Sequence, residues 1–229
     1  MTDKTALLIA GGVILDYSRE KQYLPKSPFV ICADGGYDHL KGFGFNCDVV
    51  IGDMDSITMP VADGVTRMQA VQEKDETDTR LALDYLLDRG YTDIIMMGAM
   101  GGRCDHLFAN MMLLEYALQR GACLRIIDGN TMVTLALGPA TVIVRGTEGD
   151  SLSLFSLTEN ITNVVTENLH YPLYGKTLTR MDSLGISNVM LGGHASVQFD
   201  TGKMLIMHTA NGVNEIETRE KTDQNKEKI

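Results

Sequence analysis

Short apolar runs separated by longer amphipathic stretches make up the first part of the chain. Five of these runs carry apolar side chains at nearly consecutive positions, a pattern typical of strands that are covered on both faces in a parallel sheet. The strands predicted in this way cover residues 6–10, 29–33, 48–51, 94–98 and 124–127.

Two stretches between these runs have the period of amphipathic helices. TDTRLALDYLLDRG places its apolar residues on one face, begins with a Thr or Asp and stops at Gly90. DHLFANMMLLEYALQRG, residues 105–121, repeats this layout. Strands that alternate with helices of this length indicate βαβ units. Residues 1–137 are therefore predicted to form an α/β domain with a mostly parallel sheet.

The pattern changes at Gly138 and Pro139. TVIVRG, DSLSLFSL, HASVQFD and KMLIMHT are short, partly alternating runs separated by turn residues, with no amphipathic helix among them. Residues 138–215 are therefore predicted to form an all-β, sandwich-like domain. Residues 216–229 are charged and nearly free of large apolar side chains, so they are predicted to be a disordered tail.

Composition narrows the class of protein. Apolar residues make up 44% of the chain and charged residues 22%, which is ordinary for a soluble globular protein. The net charge of -10 argues against nucleic-acid binding, which needs basic surfaces. No run reaches the ~18 to 20 apolar residues of a membrane span. The four cysteines form no C-x-x-C pair, which indicates free thiols and a cytoplasmic protein.

Aspartates gather where the predicted strands end. Asp34 follows FVICA, Asp53 and Asp55 follow VVI, and Asp75 and Asp78 lie just ahead of a helix. The carboxyl ends of parallel strands form the ligand crevice of such a sheet. Carboxylates ~5 Å apart disfavour joint ionisation by roughly 3 kcal/mol at an effective dielectric near 20. Either some of them are protonated, or a cation lies between them.

Mg²⁺ is the cation that fits best, because it takes one or two protein carboxylates and completes its shell with water and phosphate oxygens. Asp53 and Asp55, two residues apart on an extended segment, can face the same side, and Asp78 can complete the site. The alternative for each residue alone is that D-x-D is a turn and that Asp78 is a helix cap.

The segment GAMGGRCDH, residues 98–106, adds groups that bind anions. Its glycines allow backbone N–H groups to approach an anion, and Arg103 can contact phosphate oxygens in a bidentate manner. His106 beside Asp105 can contact phosphate, whereas the other histidines are expected to be structural or exposed. No G-x-x-x-x-G-K-[ST] or G-x-G-x-x-G motif is present, which excludes a P-loop and disfavours a dinucleotide fold.

Six short motifs, in this order and spacing, closely resemble the thiamine pyrophosphokinase family. They are ADGG, GDMDS, DETDTRLAL, GGRCDH, NLHYPLYGKTLT and GISN, and they span nearly the whole chain. The resemblance implies transfer of the pyrophosphoryl group of ATP to the hydroxyl of thiamine, giving thiamine diphosphate and AMP with Mg²⁺. It also implies an α/β domain, a β-sandwich domain and a homodimer with active sites between subunits.

The resemblance also implies roles for individual residues, although it leaves open which carboxylate, if any, is a general base. The implied metal ligands are Asp53, Asp55 and Asp78; the catalytic residues are Asp78, Arg103 and Asp105; the ATP-binding residues are Asp34, Gly35, Gly101, Gly102, Arg103 and His106; and the thiamine-binding residues are Tyr171, Ser187 and Asn188.

The chain departs from the family pattern at one point. Some relatives have a tryptophan that packs on thiamine in the segment matching NLHYPL, whereas this chain has no tryptophan and carries Tyr171 there. A tyrosine still offers a flat face to a cationic ring.

Two other functions use similar residues: a magnesium-dependent phosphohydrolase, and a thiamine or nucleotide sensor that has lost the chemistry.

Overall fold

The computed structural model describes residues 4–69, 76–212 and 215–220, and the chain divides into two compact units between Asn130 and Thr131. The predicted boundary, between residues 137 and 138, lies later in the sequence. The difference arises from strand Thr131–Leu137, which the sequence analysis missed and which pairs along its whole length with a strand of the second unit. Asp75 and residues 221–229 of the predicted tail lie outside the described residues.

The first unit contains a parallel sheet with helices, which confirms the predicted α/β class. Its strands are β1 (Thr5–Ile9), β2 (Phe29–Ala33), β3 (Val49–Gly52), β4 (Thr66–Gln69), β5 (Asp93–Met97) and β6 (Cys123–Asp128). They lie in the order β6-β5-β1-β2-β3-β4, and every neighbouring pair is parallel. The helices are α1 (Tyr17–Glu20), α2 (Leu40–Phe43), α3 (Asp78–Asp88) and α4 (Cys104–Gln119), with 3-10 helices at Lys21–Tyr23 and Asp34–His39.

The five strands predicted in this unit are confirmed as β1, β2, β3, β5 and β6, and the sequence analysis missed β4. All four residues of β4 are exposed, and Met68 is its one apolar side chain. An edge strand of this kind carries no apolar run that a sequence pattern could reveal. The central strand β1, by contrast, buries Leu7, Leu8 and Ile9 completely.

The two long helices pack their apolar sides onto the sheet, as predicted. Helix α3 buries Ala82, Leu83 and Leu86, and α4 buries Met111, Leu113, Leu114 and Ala117. The N-cap of α3 is Thr77, whose hydroxyl accepts a hydrogen bond from the N–H of Arg80 at 3.2 Å. The alternative that Asp78 caps this helix is therefore wrong, because Asp78 is its first residue.

The strand order creates a crevice at the carboxyl ends of the strands. From β1 the chain adds β2, β3 and β4 on one side and then places β5 and β6 on the other side of β1. The connections from β1 to β2 and from β5 to β6 therefore run in opposite directions along the sheet. The position between β1 and β5 is the switch point of the sheet, where open parallel sheets bind ligands.

Glu20 is a carboxylic acid buried in the first unit, with 1% of its surface exposed. Its Oε1 accepts a hydrogen bond from the N–H of Gly129 at 3.1 Å, and its Oε2 is buried with no hydrogen-bond partner among the described residues. Burial raises the pKa of Glu20 to about 7, an effect that the Gly129 N–H opposes and the negative charges of Asp128 and Asp16 reinforce.

The second unit contains two antiparallel sheets, which confirms the predicted all-β class. The strands are β7 (Thr131–Leu137), β8 (Ala140–Arg145), β9 (Ser151–Ser156), β10 (Asn160–Glu167), β11 (Lys176–Thr179), β12 (Asn188–Val189), β13 (His194–Phe199), β14 (Lys203–Thr209) and β15 (Glu215–Glu220). The strand orders are β12-β9-β14-β7 and β11-β10-β13-β8-β15. Several strands bury alternate residues, as expected when one face of a sheet is covered and the other meets solvent.

Strand β15 corrects the predicted start of the tail. The charged segment from residue 216 was expected to be disordered, yet Glu215–Glu220 pairs antiparallel with β8 at the edge of its sheet. Ile216 is its buried apolar residue, and backbone hydrogen bonds to β8 supply the remaining stabilisation of the strand. The guanidinium of Arg219 contacts the carboxylate of Glu217 at 2.9 Å, so the charges are accommodated on the exposed edge.

Two further observations bear on the sequence analysis. All four cysteines are free thiols, as predicted, with Cys32 and Cys47 buried and Cys104 and Cys123 exposed. Among the described residues, none of the helices combines the length and the apolar character needed to cross a membrane.

Candidate active site

A cavity of about 390 Å³ lies at the switch point of the parallel sheet. The segments at and after the ends of β1, β2 and β5 contribute residues 10–13, 33–35 and 98–103 to its wall, except for Met100. The remaining lining residues come from other elements and are mostly polar: Ser56, Thr77, Asp78, Thr79, His106 and Asn110.

The loops after β1 and β5 contact each other through backbone atoms. Gly98 has φ +66°, and a Cβ added there would lie 2.2 Å from the carbonyl oxygen of Ala10. A side chain at this position would be strained in its backbone and would clash, so only glycine fits. The close approach fixes one backbone loop against the other at the wall of the cavity.

Three carboxylates meet beside this cavity. One oxygen from each of Asp34, Asp53 and Asp55 lies within 4.8 Å of the other two. A Cβ added to Gly52 would lie 2.9 Å from the Cβ of Asp34, so the end of β3 lies directly against the residue that follows β2. Unit charges at this separation repel by about 3 kcal/mol at an effective dielectric of 20.

The environment of Asp34 supports a cation at this cluster. Its Oδ1 is buried and has no hydrogen-bond partner among the described residues. A buried carboxylate oxygen without a partner is costly, and a hard divalent cation would satisfy it. The all-oxygen donor set is the one that Mg²⁺ prefers, so these three residues fit that ion.

The segment carrying Asp53 and Asp55 is a turn rather than the extended segment that we expected. Met54 has φ 68°, and the N–H of Asp55 donates to Oδ1 of Asp53 at 3.2 Å. The two carboxylates therefore come together through an Asx-type turn, and not through alternation along a strand. The alternative interpretation of D-x-D as a turn is correct, and it is compatible with a metal site.

Asp38 anchors the loop that continues from this turn. Its carboxylate accepts hydrogen bonds from the N–H of Thr58 at 2.9 Å, the hydroxyl of Thr58 at 2.6 Å and the N–H of Met59 at 3.1 Å. Burial alone would raise the pKa of Asp38, but these hydrogen bonds outweigh it and lower the pKa below its usual value. The 3-10 helix Asp34–His39 thus carries both a member of the acidic cluster and the anchor of the neighbouring loop.

Asp78 lines the cavity but does not belong to the acidic cluster. Among the described residues, the carboxylate that joins Asp53 and Asp55 in the cluster is that of Asp34. Asp78 begins α3 on the cavity wall, where it can face a ligand. Its role as a metal ligand stays a prediction.

Arg103 and Asp105 form an ion pair at the start of α4. The guanidinium donates from Nε to Oδ1 at 3.1 Å and from Nη2 to Oδ2 at 2.6 Å, and both side chains are largely exposed. This pairing with Arg103 lowers the pKa of Asp105 to about 2, assisted by the N–H of His106. Arg103 lines the cavity and Asp105 does not, so Asp105 is placed to orient Arg103.

The predicted anion-binding residues Gly35, Gly101, Gly102 and His106 all line the same cavity. The sequence analysis missed Asn110, which is 7% exposed and donates from Nδ2 to the carbonyl oxygen of Ala99 at 2.9 Å. The sequence could have indicated this residue, because Asn110 interrupts the apolar side of a helix. A buried side-chain amide at such a position needs a hydrogen-bond partner.

The residues predicted to bind thiamine lie together in the second unit. The Asn188 side chain is buried; its Oδ1 accepts from the N–H of Tyr171 at 2.9 Å, and its Nδ2 donates to the carbonyl oxygen of Tyr171 at 2.7 Å. The ring of Tyr171 is 63% exposed and packs edge-on against His170. Ser187 is exposed, and its N–H donates to the hydroxyl of Ser153 at 3.0 Å. Asn188 is thus placed to orient Tyr171.

Comparison with known proteins gives matches to both units. Residues 20–126 match the family model described as thiamin pyrophosphokinase, catalytic domain, and residues 140–204 match thiamin pyrophosphokinase, vitamin B1 binding domain. A thiamine pyrophosphokinase of Bacillus subtilis (strain 168) is 27% identical over 214 residues, which cover 90% of this chain and 99% of the relative.

Solved structures agree with these matches. A crystal structure of thiamine pyrophosphokinase from Bacillus subtilis has a TM-score of 0.82 and 26% identity, and the alignment covers 91% of this chain and 100% of that one. A thiamin pyrophosphokinase from Geobacillus thermodenitrificans has a TM-score of 0.76 and 26% identity, over 90% of this chain and 98% of that one.

Proposed function

Because the chain belongs to the thiamin pyrophosphokinase family, with both its catalytic and its vitamin B1 binding domain, we propose that it is a thiamine pyrophosphokinase. The proposed reaction transfers the pyrophosphoryl group of ATP to the hydroxyl of thiamine and gives thiamine diphosphate and AMP. The observation that carries this proposal is the cluster of Asp34, Asp53 and Asp55 beside a cavity walled by glycine loops.

Mg²⁺ is the proposed cofactor, held by Asp34, Asp53 and Asp55, with Asp78 available from the cavity wall. When bound, the ion would neutralise phosphate oxygens of ATP and the charge that develops on them during transfer. The partnerless Oδ1 of Asp34 supports this assignment, since it gives a buried ligand atom that the protein itself leaves unsatisfied.

The chain's own residues bind and orient the substrates in this proposal. Backbone groups of Gly35, Gly101 and Gly102 face the triphosphate, and Arg103, oriented by Asp105, neutralises the transferred group. The thiamine hydroxyl oxygen attacks the β-phosphorus, the bond from that phosphorus to the α,β-bridging oxygen breaks, and AMP leaves.

Asp78 is the carboxylate that we propose to orient the attacking hydroxyl and accept its proton. Asp105 is less suited to this role, because a carboxylate with a pKa of about 2 is a weak base and both of its oxygens already accept hydrogen bonds from Arg103. Asp78 lines the cavity, and Asp105 does not.

Tyr171, Ser187 and Asn188 are proposed to form the thiamine-binding region. The exposed ring of Tyr171 supplies a flat face for the cationic thiazolium ring, and Asn188 fixes the backbone behind it.

Tyr171→Leu is expected to raise the KM for thiamine about fivefold, because a cation–π contact of about 1 kcal/mol is lost while apolar contact is partly kept. The KM for ATP should not change. Tyr174→Leu is the matched control, since Tyr174 is also exposed and lies three residues away in the sequence. Steady-state kinetics with each substrate varied in turn checks this, and an unchanged KM for thiamine in Tyr171→Leu would contradict the assignment.

The experiment that tests the function is a reaction of purified protein with ATP, Mg²⁺ and thiamine, with products separated by chromatography. We expect AMP and thiamine diphosphate in equal amounts. Phosphate release without any need for thiamine would indicate a phosphohydrolase, and ligand binding without turnover would indicate a sensor. ADP together with thiamine monophosphate would also overturn the proposal.

A homodimer is part of the proposal, as the family resemblance implies. Large apolar side chains that are more than half exposed occur close together in the second unit's sequence, namely Tyr171, Tyr174, Met181, Leu184 and Leu191. Exposed apolar surface of this kind is typical of interaction sites. Sedimentation equilibrium should give twice the chain's mass of 25.1 kDa, and a monomer at assay concentrations would contradict the dimer.

A further inference from the structure

His39, the last residue of the 3-10 helix Asp34–His39, bridges two groups beside the cavity. Its Nε2 lies 2.8 Å from the carbonyl oxygen of Gly12, and its Nδ1 lies 2.7 Å from the hydroxyl of Tyr17. A carbonyl oxygen only accepts, so Nε2 must carry the hydrogen. In a neutral ring Nδ1 then carries a lone pair, and the hydroxyl of Tyr17 donates to it. The geometry therefore selects one tautomer.

Gly12 is the point at which this bridge meets the cavity. Its N–H donates to the carbonyl oxygen of Gly98 at 2.8 Å, and a Cβ added at Gly12 would lie 2.4 Å from that oxygen. The loop after β1 is therefore held on one side by the loop after β5 and on the other by His39. Both loops line the cavity, so displacing Gly12 would change the wall that faces a ligand.

The partner of His39 is itself held in place. The ring of Tyr17 packs edge-on against Phe43, with ring centroids 5.1 Å apart. A Cβ added at Gly42 would lie 2.4 Å from the Tyr17 ring, so α2 approaches the ring closely. Burial lowers the pKa of His39 below its usual value, against the Gly12 carbonyl and the charge of Asp38, which raise it. This shift favours the neutral ring, in which Nδ1 accepts from the hydroxyl of Tyr17.

We propose that His39 is a positioning residue that sets the glycine turn after β1 against the phosphate groups of the nucleotide, with the hydroxyl of Tyr17 holding its ring through Nδ1. This inference rests on the proposed function only in taking Mg²⁺–ATP as the ligand of the cavity. His39 contacts Gly12 and Tyr17 and acts through them; it is not assigned contact with substrate. None of the sequence motifs pointed to it.

Three variants separate positioning from general structural support. His39→Leu removes the donor to Gly12, and His39→Gln keeps an N–H donor at a similar reach. Tyr17→Phe keeps the ring that packs on Phe43 and α2 but removes the hydroxyl that donates to Nδ1 of His39. Mg²⁺–ATP affinity is measured by titration calorimetry, kcat and KM by steady-state kinetics, and the histidine tautomer by side-chain ¹⁵N chemical shifts.

His39→Leu should raise both the Kd for Mg²⁺–ATP and the KM for ATP about tenfold, with kcat nearly unchanged, because contacts shared by ground and transition states are lost. His39→Gln should restore most of the affinity. The His39 resonance, identified by its loss in the His39 variants, should report the Nε2–H tautomer in the wild type and in Tyr17→Phe, because the carbonyl oxygen of Gly12 still requires the hydrogen on Nε2. The Nδ1 resonance should shift in Tyr17→Phe, because its hydrogen bond from the Tyr17 hydroxyl is lost.

Two results would overturn the proposal. One is a His39→Leu protein with unchanged affinity and only a lower active fraction, which is what a purely structural role predicts. The other is an Nδ1–H tautomer in the wild type. A wild-type protein that binds Mg²⁺–ATP but makes no AMP from thiamine would refute the proposed function alone, since the calorimetric comparison of His39 variants would still decide the role of His39.

Discussion

Asp53→Asn is expected to lower kcat on the order of 10³-fold, which corresponds to about 4 kcal/mol of transition-state stabilisation. The amide replaces a charged oxygen ligand by a neutral one in the cluster with Asp34 and Asp55. The turn itself should survive, because the amide oxygen can still accept the N–H of Asp55. The metal-free variant should therefore fold normally and gain about 1 kcal/mol of stability, since one of three repelling charges is removed.

Thermal unfolding with and without Mg²⁺, alongside steady-state kinetics, measures both effects. The wild type should be stabilised by Mg²⁺, and Asp53→Asn should lose most of that response. Asp63→Asn is the matched control, since Asp63 is exposed in the following loop and lies outside the cluster. Near-normal turnover in Asp53→Asn, or an unchanged response to Mg²⁺, would show that the cluster is not the metal site.

Glu20→Gln is expected to remove a pH-dependent loss of stability. The pKa of Glu20 is about 7 in the folded protein and near 4.5 when unfolded, so its stabilising contribution is complete below pH 4.5 and declines as the pH rises to 7. Over that interval the folded state holds a proton that the unfolded state lacks, which amounts to about 3 kcal/mol. The amide stays neutral at every pH and can still accept the N–H of Gly129.

Urea unfolding of the wild type and Glu20→Gln at a series of pH values isolates this contribution. The difference in unfolding free energy should shift in favour of the variant between pH 5 and 7 and then level off, because the other groups cancel in the comparison. Glu148→Gln, at an exposed position, should follow the wild-type curve. Parallel curves for wild type and Glu20→Gln would mean that Glu20 is already ionised or solvated in the fold.

The sequence predicts most of the elements in which side-chain burial decides the structure, although the buried strand β7 was missed. Strands β2 and β5 are visible because their residues are apolar at consecutive positions, and α3 is visible because its apolar residues keep a helical period. Strands β4 and β15 are invisible for the opposite reason, since they are edge strands held by backbone hydrogen bonds, which any sequence can make. Propensity and pattern carry no information about such pairing.

The candidate site likewise combines features that the sequence predicts with features that depend on backbone geometry. Aspartates placed at strand ends could be predicted to converge, because parallel strands end at one edge of a sheet. Which of them converge depends on the backbone: Asp34 joins Asp53 and Asp55 because β2 lies next to β3, and Asp78 starts a helix on a different wall of the cavity. The bridge from His39 to Gly12 joins residues 27 positions apart through a single hydrogen bond, and no local pattern reveals a contact of that kind.

The 3-10 helix Asp34–His39 has a thermodynamic consequence. One end carries Asp34 of the acidic cluster, the other carries His39 against the glycine turn, and Asp38 between them holds the loop beyond Asp55. A cation at one end and a nucleotide at the other would both order the same six residues. Two ligands that order the same segment are thermodynamically coupled, and this coupling is reciprocal. We therefore expect the cation to tighten nucleotide binding by the same factor by which the nucleotide tightens cation binding.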